Sequence, residues 1–288
     1  MSRLLRSLIF VPGNNPRFIN KARSLNADII CLDLEDSVPE DEKSKARELI
    51  YQALDEPFNS EVYVRVNSPS SQFIDKDLRV IREGLSGIVI PKVDDEEEVV
   101  KISDAITKIE KEQKIKPYSI EMMPSIESAK GVVNAYNIAK ASSRVVALVF
   151  GVFDLLHDLG VEYDENDYMP YLYSRAKVPI DARAAGVYAI DSIWQKIEDK
   201  EGLIKDARFG MRLGYKGKSI IHPSQIEPVH EIFKPSKEEI EWARKVINAL
   251  DRAKEEGKGA IRLEGKMIDK VHYKRAKALL DVIDDRDQ

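Results

Sequence analysis

Residues 29–36 read IICLDLED, an apolar run that ends in acidic side chains. A run without polar alternation is typical of a strand in a parallel sheet that is covered on both faces. Seven further short apolar runs follow the same plan, and each is followed by apolar residues spaced three and four apart, which predicts a helix. Eight such units in roughly 230 residues predict a (β/α)8 TIM barrel. A doubly wound open sheet is the alternative that the pattern allows.

The eight predicted strands are short and rich in β-branched residues, and they lie at Leu5–Val11, Ile29–Leu34, Val62–Val66, Gly87–Ile90, Tyr118–Met123, Val145–Phe150, Tyr188–Ile193 and Ser219–Ile221. We predict a helix near residues 76–83 and a polar loop over 157–169. Ser236 and Glu239 have the spacing of a capping box, which predicts the start of a long helix. The tail is predicted to end in a short loop and a helix over 274–283.

Two domains are predicted from this pattern. Residues 1–230 would form the barrel, and residues 231–288 a C-terminal helical extension. The extension is separated from the barrel because all eight predicted strands lie before residue 231.

The charge distribution argues against several classes of partner. The net charge is −5 over 288 residues, and it is spread without a basic block, so no nucleic-acid partner is expected. No apolar run approaches the ~20 residues that span a bilayer, so no membrane partner is expected. The single cysteine, Cys31, lies in an apolar run and predicts a buried thiol in a cytoplasmic protein.

Polar side chains recur at the predicted carboxyl ends of the strands, where barrel enzymes carry their chemistry. They are Asp33, Glu35, Asp36, Arg65, Asn67, Lys92, Glu127, Asp154, His157, Asp158, Asp191 and His222. A ring of carboxylates with few basic residues is costly to assemble unless a cation neutralises it. Carboxylate ligands without a cysteine–histidine cluster suit a hard ion, so we predict Mg²⁺, with Mn²⁺ able to substitute.

Structural interpretations exist for the same residues. Glu127 or Asp154 could begin or cap a helix, where an acidic side chain complements the helix dipole. Arg65 could form a structural ion pair with a nearby carboxylate, since an unpaired charge among apolar neighbours is costly. Lys92 could be a surface counter-charge, and His222 a hydrogen-bonded loop residue.

Eight motifs, met in order along the chain, resemble those of the citrate lyase β-subunit-like proteins of the HpcH/HpaI aldolase superfamily. They are RSLIFVPG (6–13), DLEDSV (33–38), VRVN (64–67), PK (91–92), IESA (126–129), FGVFDLLHDLG (150–160), GKSIIHPSQ (217–225) and GKMID (265–269). The resemblance covers almost the whole chain. It implies a TIM-barrel lyase that makes or breaks a carbon–carbon bond next to an acyl-CoA thioester.

The resemblance also implies roles for particular residues. Glu127 and Asp154 would bind Mg²⁺, and Arg65 would hold the oxo acid and the developing enolate. Glu35 and Asp36 would order Arg65 and the water shell of the metal. These five residues are therefore the metal ligands and three of the catalytic candidates.

The remaining implied roles concern CoA, the lid and assembly. Asp269 would come from a neighbouring subunit, close over the site and transfer a proton, in a homotrimer or a hexamer built from trimers. Arg6, Lys21 and Lys92 are candidates for binding substrate or CoA. The family usually has proline where this chain has Val271, so lid closure is expected to differ.

The predicted reaction is a reversible cleavage of a 3-hydroxyacyl-CoA with a distal carboxylate. Malyl-, methylmalyl-, citramalyl- and citryl-CoA fit this description and would give an acyl-CoA and a 2-oxo acid. Malate synthase or thioesterase activity at the same site is an alternative, as is a citrate lyase complex subunit that uses a carrier-protein thioester. A non-catalytic subunit and a pyruvate- or phosphoenolpyruvate-using aldolase are the other hypotheses.

Overall fold

Eight parallel strands form a closed barrel in the computed structural model, which describes residues 4–255 and 259–284. The strands are β1 (Ser7–Pro12), β2 (Ile29–Asp33), β3 (Glu61–Arg65), β4 (Gly87–Ile90), β5 (Glu121–Ile126), β6 (Ala147–Phe150), β7 (Tyr188–Asp191) and β8 (Gly217–Ile220). Each strand pairs with the next, and Ser7 of β1 pairs with Lys218 of β8. This closing pair confirms the predicted TIM barrel and excludes the open sheet.

Helices connect the strands. They are α1 (Pro16–Ala22), α2 (Lys43–Ala53), α3 (Ile74–Asp77), α4 (Glu96–Gln113), α5 (Ala129–Lys140), α6 (Val152–Leu159), α7 (Leu172–Ala185), α8 (Lys200–Leu213) and α9 (Ile226–Phe233). The helix predicted near 76–83 is instead the single turn α3, followed by a 3-10 turn at Leu78–Val80. The prediction of a loop from residue 157 was wrong for its first residues, because buried Leu155 and Leu156 extend the packed face of α6.

The start of β5 also differs from the prediction, which placed it at Tyr118. The carboxylate of Glu110 accepts the backbone N–H groups of Tyr118 (2.9 Å) and Ile120 (3.1 Å). Tyr118 has a φ of 61°, in the left-handed region. These contacts hold residues 118–120 in a turn, so pairing with β4 begins only at Glu121, opposite Gly87.

The barrel is filled by side chains from successive strands. The buried cluster inside it draws on seven of the eight strands and includes Leu8, Cys31, Tyr63, Met123 and Ile190. Cys31 is fully buried, as predicted. Interiors of this kind are packed as closely as organic crystals, so the barrel is a rigid frame for the residues at its rim.

The chain divides into two compact units, one over Leu5–Ile232 and one that begins at Phe233 and includes Leu4. The second unit contains α10 (Lys237–Glu255), an antiparallel hairpin of β9 (Ala260–Leu263) and β10 (Lys266–Asp269), and α11 (Lys270–Asp284). Val246, Leu250 and Ile268 lie in its core. Its role as a lid stays a prediction.

Two features of the second unit bear on the sequence predictions. Ser236 and Glu239 exchange backbone-to-side-chain hydrogen bonds of 2.9 and 3.1 Å, which is the predicted capping box. The hairpin was not predicted; it turns at Glu264 and Gly265, whose φ values of 44° and 82° suit a two-residue turn. In both described segments of the chain, no helix is long and apolar enough to cross a membrane.

Candidate active site

The loop after β2 carries acidic residues whose positions are fixed by Asp33. The buried Asp33 carboxylate accepts the backbone N–H groups of Glu35 (2.9 Å) and Ser37 (3.0 Å). These bonds turn the chain after the strand, so that Glu35 is buried and Asp36 is exposed. Burial raises the pKa of Asp33, but the charge and hydrogen bonds of Arg65 outweigh it and hold that pKa below its ordinary value.

Arg65, the last residue of β3, is held rigidly by two neighbours. It makes a bidentate ion pair with Asp33, with Nε–Oδ1 at 2.6 Å and Nη2–Oδ2 at 2.7 Å. Its guanidinium carbon lies 4.5 Å from the centre of the Phe10 ring. The third nitrogen, Nη1, lies 3.2 Å from Glu35 and 3.6 Å from Asp36. The structural ion pair considered for Arg65 is therefore present, and it leaves one edge of the guanidinium toward the other acidic residues.

Lys92 follows β4 and contacts carboxylates from three other strand ends. Its Nζ lies 2.6 Å from Glu35, 3.6 Å from Asp36 and 3.6 Å from Asp154. Its backbone N–H donates to Glu127 Oε2 at 3.1 Å. Burial alone would lower the pKa of Lys92. The hydrogen bond and charge of Glu35, with the other carboxylates, outweigh burial and hold that pKa above its ordinary value. Lys92 thus lies at the centre of an acidic cluster formed by Glu35, Asp36, Glu127 and Asp154, and it is not a surface counter-charge.

Glu127 follows β5 and is packed against the backbone that leads into α6. A Cβ atom at Gly151 would lie 2.5 Å from Glu127 Cγ, so the absence of a side chain at residue 151 makes room for Glu127. Glu127 does not cap α5, since that is done by the Ser128 hydroxyl. Burial, Glu35 and Asp154 together raise the pKa of Glu127 to about 8.

Asp154 and its neighbours lie on α6, which follows β6. Asp154 is in the first turn of the helix, and its side chain is 43% exposed. Asp158, by contrast, accepts the backbone N–H of Ala129 at 2.8 Å and so binds the start of α5. His157 is exposed in the last turn of α6. Of the three, Asp154 is the residue joined to the cluster through Lys92.

The two residues proposed from the opening of the chain do not join the cluster. Arg6 precedes β1, and its guanidinium is paired with Asp28 at 2.7 and 2.9 Å before the start of β2. This is the amino end of the barrel, away from the strand ends that carry the acidic cluster. The structure thus does not bring Arg6 to the acidic cluster, and its role in CoA binding stays a prediction. Lys21 is exposed in the last turn of α1.

Asp191 and His222 have structural contacts outside the acidic cluster. Asp191 is fully buried and binds Arg175, which binds Asp206, which in turn binds Lys218. A buried charge needs such partners because its desolvation is costly. His222 accepts the backbone N–H of Ser224 at 3.2 Å and caps a 3-10 turn, in agreement with its structural interpretation.

Several residues of structural importance to the site were missed from the sequence. Phe10, below Arg65, and Gly151, beside Glu127, lie in quoted motifs but have no chemistry of their own. Arg175 and Asp206 of the buried network line a small pocket with Tyr163 and Tyr171. Their positions in helices gave no signal that they would meet, because they come together only through the packing of α7 and α8 on the barrel.

Glu35, Asp36, Glu127 and Asp154 thus surround a lysine at one end of the barrel. Within the described part of the chain, no three acidic, histidine or cysteine side chains are already arranged as a metal-binding group. The positive charge at the centre of the cluster is the Lys92 ammonium. The donor set nevertheless remains one of carboxylate oxygens, which are the ligands that hard divalent ions prefer.

Comparison with characterised proteins identifies relatives along nearly the whole chain. The citrate lyase subunit beta of Leuconostoc mesenteroides is 37% identical over 281 residues, covering 96% of this chain and 93% of the relative. The human mitochondrial citramalyl-CoA lyase is 34% identical over 94% of this chain and 83% of its own. A (3S)-malyl-CoA thioesterase of Cereibacter sphaeroides is 32% identical over 96% of this chain and 93% of its own.

The fold has solved counterparts as well. The Mycobacterium tuberculosis CitE protein, in complex with magnesium, acetoacetate and coenzyme A, superposes with a TM-score of 0.76 at 27% identity, covering 98% of this chain and 99% of the other. The family model described as HpcH/HpaI aldolase/citrate lyase matches residues 6–223, which contain the barrel and every member of the acidic cluster. The chain therefore belongs to the HpcH/HpaI aldolase/citrate lyase family and is a carbon–carbon lyase.

Proposed function

We propose that the chain reversibly cleaves a 3-hydroxyacyl-CoA with a distal carboxylate into an acyl-CoA and a 2-oxo acid, with Mg²⁺ as cofactor. The observation that carries the proposal is the meeting of Arg65 and Lys92 with four carboxylates from three other strand ends. Citryl-, citramalyl- and malyl-CoA are the candidate substrates, in keeping with the relatives' names.

Glu127 and Asp154 are the proposed metal ligands. Their carboxylates repel one another, and this repulsion contributes to the raised pKa of Glu127. A divalent cation between them would remove that cost, so the donors fit the ion by charge as well as by chemistry. The CitE structure that resembles this chain contains magnesium. When bound, the ion would act as a Lewis acid toward the oxygens of the substrate.

Arg65 is the proposed ligand of the 2-oxo acid and of the developing oxyanion. The two contacts with Asp33 fix the guanidinium plane, so little conformational entropy remains to be lost when the substrate binds. Its Nη1 edge faces Glu35 and Asp36, which we propose to order the water shell of the metal. This arrangement favours charge developing at a fixed point, which is the main requirement for stabilising an enolate.

Several further roles belong to the same proposal. Asp269 would move the proton at the carbon of the enolate, acting from the lid of a neighbouring subunit in a trimer or hexamer. Lys21 and Arg6 remain candidates for CoA binding, and of the two Lys21 is the exposed one. A cytoplasmic setting is also proposed, because the single cysteine, Cys31, is a buried free thiol.

The test is a panel of the candidate CoA esters incubated with the purified chain and Mg²⁺, with acyl-CoA and 2-oxo acid measured by mass spectrometry. We expect Glu127→Gln and Asp154→Asn to abolish Mg²⁺-dependent cleavage while the circular dichroism spectrum is unchanged. Full activity in either variant, or activity that survives strong chelation, would contradict the metal site. Inactivity on every ester but cleavage of a carrier-protein thioester would favour the complex-subunit alternative.

Thioesterase activity is the second candidate, favoured by the malyl-CoA thioesterase relative. The two reactions differ in one product: a lyase releases acyl-CoA with its thioester intact, whereas a thioesterase or malate synthase releases free CoA. A thiol reagent added during turnover separates them. Thiol release at the rate of substrate loss would replace the lyase proposal with hydrolysis at the same site.

A further inference from the structure

Lys92 touches both proposed metal ligands with two different groups. Its ammonium lies 3.6 Å from Asp154, and its backbone N–H donates to Glu127 at 3.1 Å. The same ammonium is 2.6 Å from Glu35. It therefore supplies positive charge at the point where the carboxylates of three strand ends converge.

We propose that the Lys92 ammonium is a built-in counter-cation that neutralises the carboxylate cluster without a divalent ion and moves aside when the ion binds. The inference rests on the proposed function, since it takes Glu127 and Asp154 to be the metal ligands. Lys92 would then lower the metal affinity by competing with the ion for the same carboxylates, without being a metal ligand itself.

Two features of Lys92 make such an exchange physically reasonable. Its side chain is 38% exposed, and a lysine side chain has four flexible bonds, so the ammonium has both a route and the freedom to leave. Its backbone has a φ of 54°, in the left-handed region that costs a non-glycine residue energy. That conformation directs the N–H to Glu127, and this hydrogen bond does not depend on where the ammonium goes.

The electrostatic consequence is a trade between metal affinity and metal-free stability. A unit positive charge about 4 Å from a ligand oxygen repels an incoming divalent ion strongly in a partly buried site. The ion must displace the ammonium, and part of its binding energy is used to break the Lys92 ion pairs. Removing the ammonium therefore tightens metal binding and leaves the metal-free carboxylates with less positive charge beside them.

The experiment compares Mn²⁺ binding, followed by electron paramagnetic resonance of the free ion, in the wild type, Lys92→Gln and Lys92→Arg. We expect Lys92→Gln to bind Mn²⁺ about tenfold more tightly, because one opposing charge is removed. Lys92→Arg keeps the charge and should bind no more tightly than the wild type. Lys245→Gln, which breaks the exposed 2.6 Å pair with Glu264, is the matched control and should have wild-type affinity.

Thermal melting gives a second readout without activity. In chelator, Lys92→Gln should melt below the wild type, and saturating Mn²⁺ should raise its Tm by more than it raises that of the wild type. Unchanged or weaker Mn²⁺ binding in Lys92→Gln would overturn the inference. With that result, the proposed metal site still stands if the wild type binds Mn²⁺ and Glu127→Gln does not. If none of these proteins binds Mn²⁺, the proposed metal site fails together with this inference.

Discussion

Asp33 and Glu127 are both buried carboxyl groups at strand ends, yet their surroundings give them opposite acidity. Asp33 forms a bidentate ion pair with Arg65, and this pair holds the pKa of Asp33 below the ordinary value. Glu127 is buried near two other carboxylates, Glu35 and Asp154, and its pKa rises to about 8. Asp33 therefore stays ionised and holds Arg65, whereas Glu127 holds a proton that a bound cation would displace.

The raised pKa of Glu127 predicts how the stability of the metal-free chain depends on pH. The folded protein holds this proton up to about pH 8, whereas the unfolded chain releases it near the ordinary value of 4.5. Stability must therefore fall as pH rises between these two values. In Glu127→Gln this contribution is absent, so the wild type should lose about 2 kcal/mol more than the variant between pH 6 and 8.5.

The measurement is urea unfolding in chelator at the two pH values. Glu264→Gln, which removes an exposed carboxylate in the second unit, serves as the control and should keep the wild-type dependence. Equal losses of stability in the wild type and Glu127→Gln would contradict the raised pKa. Glu35, whose pKa burial raises to about 7, should contribute a smaller effect of the same sign in both proteins.

The ends of the helices determine how several candidate residues are used. Asp269, the last residue of β10, accepts the backbone N–H groups of Val271 (2.9 Å) and His272 (3.3 Å) and so caps α11. A proline at residue 271, as the family pattern has, could not donate the first of these bonds. The departure at Val271 therefore ties Asp269 more firmly to the start of its helix.

Asp269 consequently has a structural task that must be separated from its proposed chemistry. Asparagine caps helices as well as aspartate does but cannot transfer the proton. We expect Asp269→Asn to lower kcat at least about 100-fold with an unchanged Tm and unchanged Mn²⁺ affinity. Asp269→Ala should lose about 1 kcal/mol of stability in addition. Near-normal turnover in Asp269→Asn would assign the residue to capping alone.

At the level of the whole molecule, the second unit is proposed to serve the barrel of a neighbouring subunit. The barrel carries Glu127 and Asp154, and the second unit carries Asp269. If one active site draws on two subunits, two variants with different defects can complement each other. If each lid serves its own barrel, they cannot, because every chain in the mixture carries one defect.

Co-expression of differently tagged Glu127→Gln and Asp269→Asn chains tests this arrangement. Mixed oligomers isolated through both tags should recover about a quarter to a third of wild-type activity, since in a trimer with two kinds of chain one barrel–lid pair in three is intact. A mixture of Glu127→Gln with Asp154→Asn is the control, because both defects lie in the barrel and no site can be restored. No recovery in the first mixture would contradict a lid that crosses between subunits.

Local pattern was sufficient to predict much of this fold. The eight apolar runs predicted the barrel because burial of a strand on both faces requires apolar residues throughout, and the capping box at Ser236 follows from neighbouring residues. The shifted start of β5 and the hairpin at Glu264 were not predicted. The start of β5 depends on a hydrogen bond from Tyr118 to the carboxylate of Glu110 on α4. The hairpin depends on the positive φ angles of Glu264 and Gly265.

For the site, the sequence by itself determined which residues carry charge and that they follow strands. Asp33, Glu35, Arg65, Lys92 and Glu127 were all identified in that way. Only the tertiary structure decided their partners: Asp33 holds Arg65, Lys92 lies among the carboxylates, and Arg6 lies at the opposite end with Asp28. The physical reason is that charge is a property of one residue, whereas burial, pairing and acidity depend on strands that only barrel closure brings together.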